Sequence, residues 1–374
     1  MSLINSTAIP NGVLPDFPLT QSVKLKGNGY LHKTPSSASN RRTYTWSGWV
    51  KRSELGSENT IFGAGNGGSI FDEIKFSGAD QLDFYTYQGA TQGQRKSTAV
   101  FRDTSAWLHI VAVYDSTQST ALNRMKLYVN GVQITDLATT TNPDQNHQGN
   151  INNAIPHAVG GVYAGQLYNP FDGYLAEVNF IDGLALAPTS FGRFNAYGGW
   201  QAIDTQDLTF GTNGFSMKFN SSGNLGLTGT GGNADVGANF AAVSVGATDQ
   251  VLDTPSNNFA TLNPLWQDSS ITLQEGNLRS SRNANMNRPS LSTISLGTGK
   301  WYFEALDKFT TGNQIGVEWE GADVETYVHE SGTQAYTFAS SGGTYGNGSS
   351  GFGNNGGSVT SGARIRMIAY DGAT

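Results

Sequence analysis

A chain of 374 residues is too long for one β-sandwich and long enough for two domains, each with a core of its own. A formal charge of −7 argues against nucleic acid and against docking on anionic lipid, both of which need a basic footprint. The absence of cysteine excludes disulfides, thiolate metal sites and cysteine chemistry. Glycine is abundant at 48 residues and only 14% of residues are charged, which suits many short strands joined by Gly-rich turns beneath a neutral-polar surface.

The lack of cysteine also points to assembly in a reducing cytoplasm. Residues 1–10 have neither a basic start nor an apolar core, so no signal peptide is expected. No apolar run approaches 18 residues, so no membrane insertion is expected. Residues 1–20 carry Pro10, Pro15 and Pro18 among scattered apolar side chains, a pattern that reads as an extended N-terminal arm packed on something. Ile4, Ile9, Val13, Leu14 and Phe17 are its candidate anchors.

Strands begin at Ser22. Val23–Leu25 and Tyr30–His32 are short candidates around Gly27 and Gly29. The stretch Thr43–Lys51 alternates, with Tyr44, Trp46, Gly48 and Val50 on one face. Leu82, Phe84 and Thr86 share a face in the next clear strand. Trp107–Tyr114 is almost continuously apolar, as a central sandwich strand should be. Met125, Leu127 and Val129 lead into Asn130-Gly131, a type I′ hairpin signal, and then into Val132–Thr135. The stretch 173–183 again alternates: Tyr174, Ala176, Val178 and Phe180 are expected on one face, with Leu175, Glu177, Asn179 and Ile181 on the other. Helical periodicity is essentially absent, and Trp46, Trp107 and Trp301 read as core residues.

Three motifs in this order carry a resemblance: Trp107-Leu-His-Ile-Val-Ala-Val-Tyr-Asp115, Met125-Lys-Leu-Tyr-Val-Asn-Gly131 and Phe171-Asp-Gly-Tyr-Leu-Ala-Glu-Val-Asn-Phe180. Together they resemble the laminin-G-like branch of the concanavalin A-like lectins over about residues 21–195, which implies a jelly-roll sandwich. The opening stretch Tyr30–Arg52 is similar to proteins of marine and cyanobacterial tailed phages. Residues 196–250, rich in Gly, Asn and Ser, read as a long connector with a strand or two, such as Gly214–Phe219. Residues 251–374 read as a second β-domain. There Gly299-Lys-Trp-Tyr-Phe-Glu304, Gln314–Val317 and Arg364–Asp371 resemble strands of a SPRY domain that stops before its last hairpin. The expected fold class is therefore all-β, a laminin-G-like jelly roll followed by a partial SPRY-like sandwich.

Some glucanases of the jelly-roll class resemble Glu-x-Asp-x-x-Glu on one strand, with paired carboxylates flanking the glycosidic bond. Glu177, Asn179 and Asp182 echo that spacing, but Asn179 cannot supply the middle charge and Asp182 precedes Gly183 as a turn former. No catalytic residue is assigned and the chain is read as non-enzymatic. The five histidines form no ligand pair, and His109, in mid-strand, reads as packed and hydrogen-bonded. No cofactor is assigned; calcium is the candidate ion, with Asp72, Glu73, Asp115 and Asp172 as loop acids that could offer it oxygen. Gly63 to Gly68 lacks the lysine and the strand-to-helix context of a phosphate loop.

Surface aromatics are the better handle for a ligand, because sugars stack on Trp or Tyr while amides hold their hydroxyls. Tyr85, Tyr87 and Gln88 end one strand, and Tyr163, Gln166, Tyr168 and Asn169 crowd one loop. The resemblance to tailed-phage proteins implies a phage virion protein, and with the surface aromatics the expectation is a tail fibre, appendage or head fibre that binds host surface polysaccharide. Its arm would hold other virion proteins, and it would be a homo-oligomer, a trimer if a fibre. The alternatives are a capsid decoration or cement subunit that binds only virion proteins, and a polysaccharide depolymerase.

Overall fold

The structure, a computed structural model, describes residues 17–220, 225, 237, 239–282, 290–296, 299–307, 314–318, 335–339, 344–346, 349–350 and 364–371. The chain divides into two compact units, Leu14–Asn258 and one that holds Phe259–Thr374. In the first, the strands run β1 (Ser22–Leu25), β2 (Tyr30–Lys33), β3 (Thr43–Arg52), β4 (Asn59–Gly65), β5 (Ile70–Phe76), β6 (Gln81–Gln88) and β7 (Thr91–Val100). They continue with β8 (Leu108–Asp115), β9 (Met125–Val129), β10 (Val132–Gln133), β11 (Leu137–Thr141), β12 (His157–Val159), β13 (Val162–Tyr163) and β14 (Leu167–Tyr168). The last are β15 (Gly173–Asp182), β16 (Gly192–Phe194), β17 (Trp200–Ala202), β18 (Phe215–Met217), β19 (Ala241–Val243) and β20 (Gln250–Val251).

Among the described residues sixteen of these strands form two eight-stranded sheets, and β13-β14 and β16-β17 are separate two-stranded pairs. Sheet I has the order β10-β9-β8-β3-β15-β1-β20, with β18 beside β15. Sheet II has the order β11-β7-β6-β5-β4-β12-β2-β19. Alternation makes the core between them. Tyr44, Trp46 and Val50 of β3 and Ile110, Ala112 and Tyr114 of β8 point inward from sheet I; Phe62, Ile74, Phe76, Leu82 and Phe84 point inward from sheet II. Tyr44 and Tyr114 stack at 5.1 Å between ring centroids. The β9–β10 turn has φ of 49° at Asn130 and 79° at Gly131, as a type I′ hairpin requires.

Sheet I is buried on both faces. Trp49, Trp107, Tyr174 and Ala176 lie under Leu19 and Ala202, while Val111, Val113 and Ile181 lie under Phe191 and Phe210. This explains the continuous apolar run of 107–114, since a strand covered on both sides has no polar face to show.

Strict alternation along β15 fails at one residue. Leu175 points into the core and Tyr174 and Ala176 point outward, but from Val178 onward the phase is inverted, with Val178 and Phe180 inward and Ile181 outward. The register against β3 shifts between Ala176 and Asn179, so that a bulge sits opposite Gly48. Glu177 takes the strain, with φ of 45° in the left-handed region. Its carboxylate is not solvent-facing: Oε1 accepts a 2.6 Å hydrogen bond from Thr205 Oγ1 on the covered face.

The expected connector, 196–250, is built into the sandwich. β18 pairs with β15, β19 with β2 and β20 with β1. Phe215, Met217, Phe219, Leu225 and Phe240 are part of the central core. The following residues clasp sheet I. Asp253 Oδ2 lies 2.8 Å from Lys51 Nζ, Asp253 Oδ1 accepts from Trp107 Nε1 at 2.9 Å, and Asn258 Oδ1 takes a further Lys51 proton at 2.8 Å. The unit therefore closes at Asn258, not at residue 250, because the apolar residues of 215–251 are spaced too thinly among Gly and Asn to read as sheet members.

In the second unit two of the three stretches singled out in the sequence pair with each other. Lys300–Asp307 lies antiparallel to Arg364–Asp371 and places Phe303 against Ile368. Ala260, Ile294, Leu296 and Trp301 join these two in a small core. Gln314–Glu318, Ala335–Ala339, Thr344–Gly346 and Ser349–Ser350 form a four-stranded sheet.

The strand-forming part of 196–258 can be tested by truncation. Burying an apolar side chain contributes about 1.5–3 kcal/mol, so losing Phe215, Met217, Phe219, Leu225 and Phe240 together removes as much as the whole net stability of a typical domain, about 5–15 kcal/mol. A fragment of residues 17–258 should give a cooperative thermal transition in near-ultraviolet circular dichroism, and a fragment of residues 17–195 should give none.

Candidate functional site

The outer face of sheet II carries the half-buried rings among the ligand candidates of β6. Along β5, Asp72, Ile74 and Phe76 turn inward, so Phe71, Glu73 and Lys75 turn outward; along β6, Leu82, Phe84 and Thr86 turn inward, so Asp83, Tyr85 and Tyr87 turn outward. The register sets Phe71 beside Tyr87, Glu73 beside Tyr85 and Lys75 beside Asp83, and on β7 it sets Gln94 beside Tyr85 and Lys96 beside Asp83. Such cross-strand neighbours interact directly. The Phe71 and Tyr87 rings stack at 5.0 Å, Tyr87 and Tyr85 at 5.9 Å, and Phe71 lies 5.8 Å from Tyr85. All three rings are half-buried and form a shelf.

The polar groups beside the shelf are fixed. Glu73 Oε1 accepts from Thr60 Oγ1 at 2.7 Å and from Asn169 Nδ2 at 3.0 Å, and Oε2 lies 2.9 Å from Lys75 Nζ. Lys75 also reaches Glu58 at 3.2 Å, and its ammonium is 5.7 Å from the Tyr85 ring centroid. Burial acts to lower the Lys75 pKa, but Glu73 and Glu58 outweigh it and hold the ammonium above its usual range. Asp83 accepts from Gln94 at 2.9 and 3.0 Å and from Lys96 at 3.4 Å. Burial nonetheless raises its carboxyl above the usual carboxylate value.

The β13–β14 hairpin lies over β4 next to this shelf. Val162 occupies the space above Gly63 and Gly65, where an added Cβ would come within 2.6 and 2.7 Å of its methyls. These glycines therefore serve the close approach of the hairpin. Tyr163 turns away from the shelf to stack on Tyr30 at 5.5 Å and lie 4.7 Å from His32. Gln166 and Tyr168 are exposed at the hairpin.

The ligand candidates named from sequence are thus divided. Tyr85 and Tyr87 share the shelf, and Asn169 joins the same face through Glu73. Gln88 turns to the loop before β12, donating to the Gln148 carbonyl at 2.9 Å and to Asn150 Oδ1 at 3.1 Å. Tyr163 belongs to a separate cluster. Phe71 was missed, although the period of two in Phe71-Asp-Glu-Ile-Lys-Phe76, set by Ile74 and Phe76, assigns it to the outer face with Glu73 and Lys75.

The four candidate calcium acids do not converge. Asp72 is wholly buried and accepts from Asn150 N at 2.6 Å, Asn150 Nδ2 at 2.8 Å and Ile151 N at 3.0 Å. It pins that loop, and burial raises its pKa against these bonds. Glu73 lies on the opposite face. Asp115 caps its own turn, accepting from Thr117 Oγ1 at 2.6 Å and Gln118 Nε2 at 2.6 Å, and the Asp172 carbonyl accepts from Ser53 N at 3.0 Å. Among the described residues no three His, Asp or Glu side chains form a group that could hold a metal ion.

The carboxylates of the glucanase echo are structural. Glu177 is 4% exposed under Thr205, and Asp182 ties three loops by accepting from Asn40 N at 3.3 Å, Asn152 Nδ2 at 2.9 Å and Asn213 N at 2.9 Å. His109 is packed and hydrogen-bonded: its Nδ1 accepts from Trp200 Nε1 at 2.9 Å, which leaves Nε2–H to donate to Ser47 Oγ at 2.9 Å. Of the arm residues, Ile4, Ile9, Val13 and Leu14 lie outside the described residues. Phe17 packs beside Leu19 on the outer face of sheet I, with Lys218 Nζ 5.7 Å from its ring centroid.

This architecture, two antiparallel sheets with a jelly-roll order of strands, is that of a lectin-type sandwich. Residues 25–189 match the family model described as the concanavalin A-like lectin/glucanases superfamily. A search of curated proteins finds no match. Among solved structures, similarity extends to a Bacteroides ovatus protein assigned to carbohydrate binding, at 18% identity and a TM-score of 0.43 over 64% of this chain; the chain spans 62% of that protein's length. It extends also to a pentraxin from Limulus polyphemus, at 15% identity and a TM-score of 0.35 over 45% of this chain and 78% of that one. Domain 4 of an extracellular arabinanase from Geobacillus stearothermophilus, solved with arabinotriose, matches at 20% identity and a TM-score of 0.34 over 45% of this chain and 73% of that one.

The buried histidines make a pH prediction. Burial lowers His109 to about 3 and His157 to about 4, against an ordinary value of 6.5. Both are held neutral in the fold, so their contribution is complete above 6.5 and is lost as pH falls from there through the folded values. In NMR titrations both rings should keep neutral shifts down to about pH 5, and the urea midpoint should fall between about pH 6.5 and pH 4. Rings that charge near 6.5 in the folded protein would contradict this.

Proposed function

We propose that this chain is a non-enzymatic adhesive protein that binds glycans on the outer face of sheet II. The observation that carries the reading is the half-buried shelf of Phe71, Tyr85 and Tyr87, flanked by amide, hydroxyl and charged groups already held in place. A sugar ring offers apolar C–H faces to such rings and hydroxyls to the polar rim. The family to which residues 25–189 are matched includes both lectins and glucanases. The lectin side is favoured here because glycoside hydrolysis needs two carboxyl groups on either side of one bond. Glu73 and Asp83 on the open face are each tied to a lysine, and Glu177 and Asp182 are held in internal contacts.

A glycan-array screen of the full chain, followed by calorimetry on the strongest ligands, tests this. Each stacking ring contributes about 0.5–1.5 kcal/mol and 1.4 kcal/mol is tenfold in affinity, so a Tyr85→Ala/Tyr87→Ala double variant should bind about tenfold more weakly with an unchanged circular dichroism spectrum. A full chain that retains no glycan on the array would sink the reading.

The finer proposal is that the protein sits on the virion of a tailed phage, held to other virion proteins by residues 1–20 and presenting the sandwich to host polysaccharide. Its support is the likeness of Tyr30–Arg52 to phage proteins and the apolar residues of the arm. The second domain is read, on Gly299–Glu304 and Arg364–Asp371, as SPRY-like. Antibody labelling of particles in the electron microscope should mark fibres or the tail tip. Label spread over the head would instead favour a decoration role, and unlabelled particles would remove the virion from the account.

A further inference from the structure

The charges on the outer face of sheet II go further than the shelf itself. Five ionisable side chains flank the rings: Glu58, Glu73, Asp83, Lys75 and Lys96. Neither lysine stands alone. Lys75, with a side chain only 9% exposed, is bracketed by Glu73 at 2.9 Å and Glu58 at 3.2 Å, and Lys96, 27% exposed, lies 3.4 Å from Asp83. Three acids against two bases leave the patch with an excess negative charge, and its most exposed charged group is Glu58, at 49%. Arg95, on the neighbouring strand, turns away from this face and spends its guanidinium on the Met125 and Thr141 carbonyls and Asn142 Oδ1.

We infer that this face selects neutral glycans, such as hexose, pentose or N-acetylhexosamine oligosaccharides, over sialylated, uronate-containing or sulfated ones, and that it does so without calcium. The inference rests on the glycan-binding reading of the shelf. An acidic sugar brings a carboxylate or sulfate that needs an available guanidinium or ammonium. Here it would meet Glu58 and two lysines whose partners it could displace only by leaving Glu73 or Asp83 as uncompensated buried charges. A neutral sugar needs only the rings, the Gln94 and Asn169 amides and the Tyr85 hydroxyl, which lies 3.0 Å from Thr91 Oγ1 at the rim. Calcium-mediated recognition needs several carboxylate oxygens turned to one point. Glu73 instead gives one oxygen to Thr60 and Asn169 and the other to Lys75.

The test is calorimetry of the full chain against matched neutral and acidic oligosaccharides, with and without a chelator, and at low and high salt. Neutral ligands should bind at least about tenfold more tightly, a difference of about 1.4 kcal/mol. Their affinity should be unchanged by chelator and nearly unchanged by salt, since no ion pair is screened. Glu58→Lys should then admit acidic ligands in a salt-sensitive way while leaving neutral binding in place. Preference for acidic ligands, or loss of binding with chelator, overturns the inference; if that binding still disappears in the Tyr85→Ala/Tyr87→Ala variant, the glycan-binding reading survives it. Absence of binding to either class overturns both.

Discussion

The arrangement of the sandwich depends on the buried ion pair between Lys51 and Asp253. The Lys51 side chain has no exposure and that of Asp253 has 7%, so each charge sits where it could not stand alone. Burial lowers the Lys51 pKa more than Asp253 raises it, a measure of how far the ammonium has been taken from water. The pair exists only because 249–258 returns across the outer face of sheet I, where Thr254 Oγ1 donates to the Leu19 carbonyl at 2.8 Å and Ser256 Oγ accepts from Leu19 N at 3.0 Å. Segments more than 200 residues apart in sequence are thereby brought together on sheet I. With that face roofed, the outer face of sheet II is, among the described residues, the sheet face left for the proposed ligand.

The bulge at Glu177 follows from the same roofing. A strand with one wet face can keep its alternation throughout, whereas β15 must serve β1 on one half and β18 on the other while both of its faces are packed. One extra residue opposite Gly48 inverts the phase, which lets Leu175 and Val178 both reach the core. A left-handed, non-glycine backbone costs about 1–2 kcal/mol; the hydrogen bond from Thr205 to a carboxylate offsets a comparable amount, about 1.5–3 kcal/mol. The carboxylate that most resembled a catalytic group in the sequence is a brace for this bulge.

What could be read in the sequence was what repeats. The period of two in Thr43–Lys51, the apolar run of 107–114 and the Asn130-Gly131 turn each announce their element through several residues, and the all-β, two-sheet fold follows from them. Tyr85 and Tyr87 could be paired because they are two apart on one strand. What could not be read rests on single residues or on distant segments. A one-residue bulge leaves no mark in the hydrophobic pattern, and Phe71 meets Tyr87 only through the β5–β6 register. The strands of 200–251 are two or three residues long among glycines, so their pairing to β15, β2 and β1 is set by the open edges those strands present. The calcium candidates failed for a related reason. Neighbours in sequence such as Asp72 and Glu73 are on opposite faces of a strand, one inside the core and one outside it.

The use made of carboxylates is what favours the proposed reading of the outer face of sheet II as a binding face over a catalytic one. Glu73 joins three pieces of structure: Thr60 on β4, Lys75 on its own strand and Asn169 at the base of the β13–β14 hairpin. A general acid or base has to exchange its proton freely during turnover. For Glu73 that would mean releasing the hairpin and leaving Lys75 charged beside an apolar shelf. Asp83 is held in the same way by Gln94 and Lys96. With Glu73 and Asp83 engaged as tethers, what the face offers the proposed neutral sugar is ring surface and amide dipoles, with the carboxylate of Glu58 exposed beside them. Rigid rings on a paired sheet, fixed before the ligand arrives, are the means by which a weak contact of this kind becomes selective.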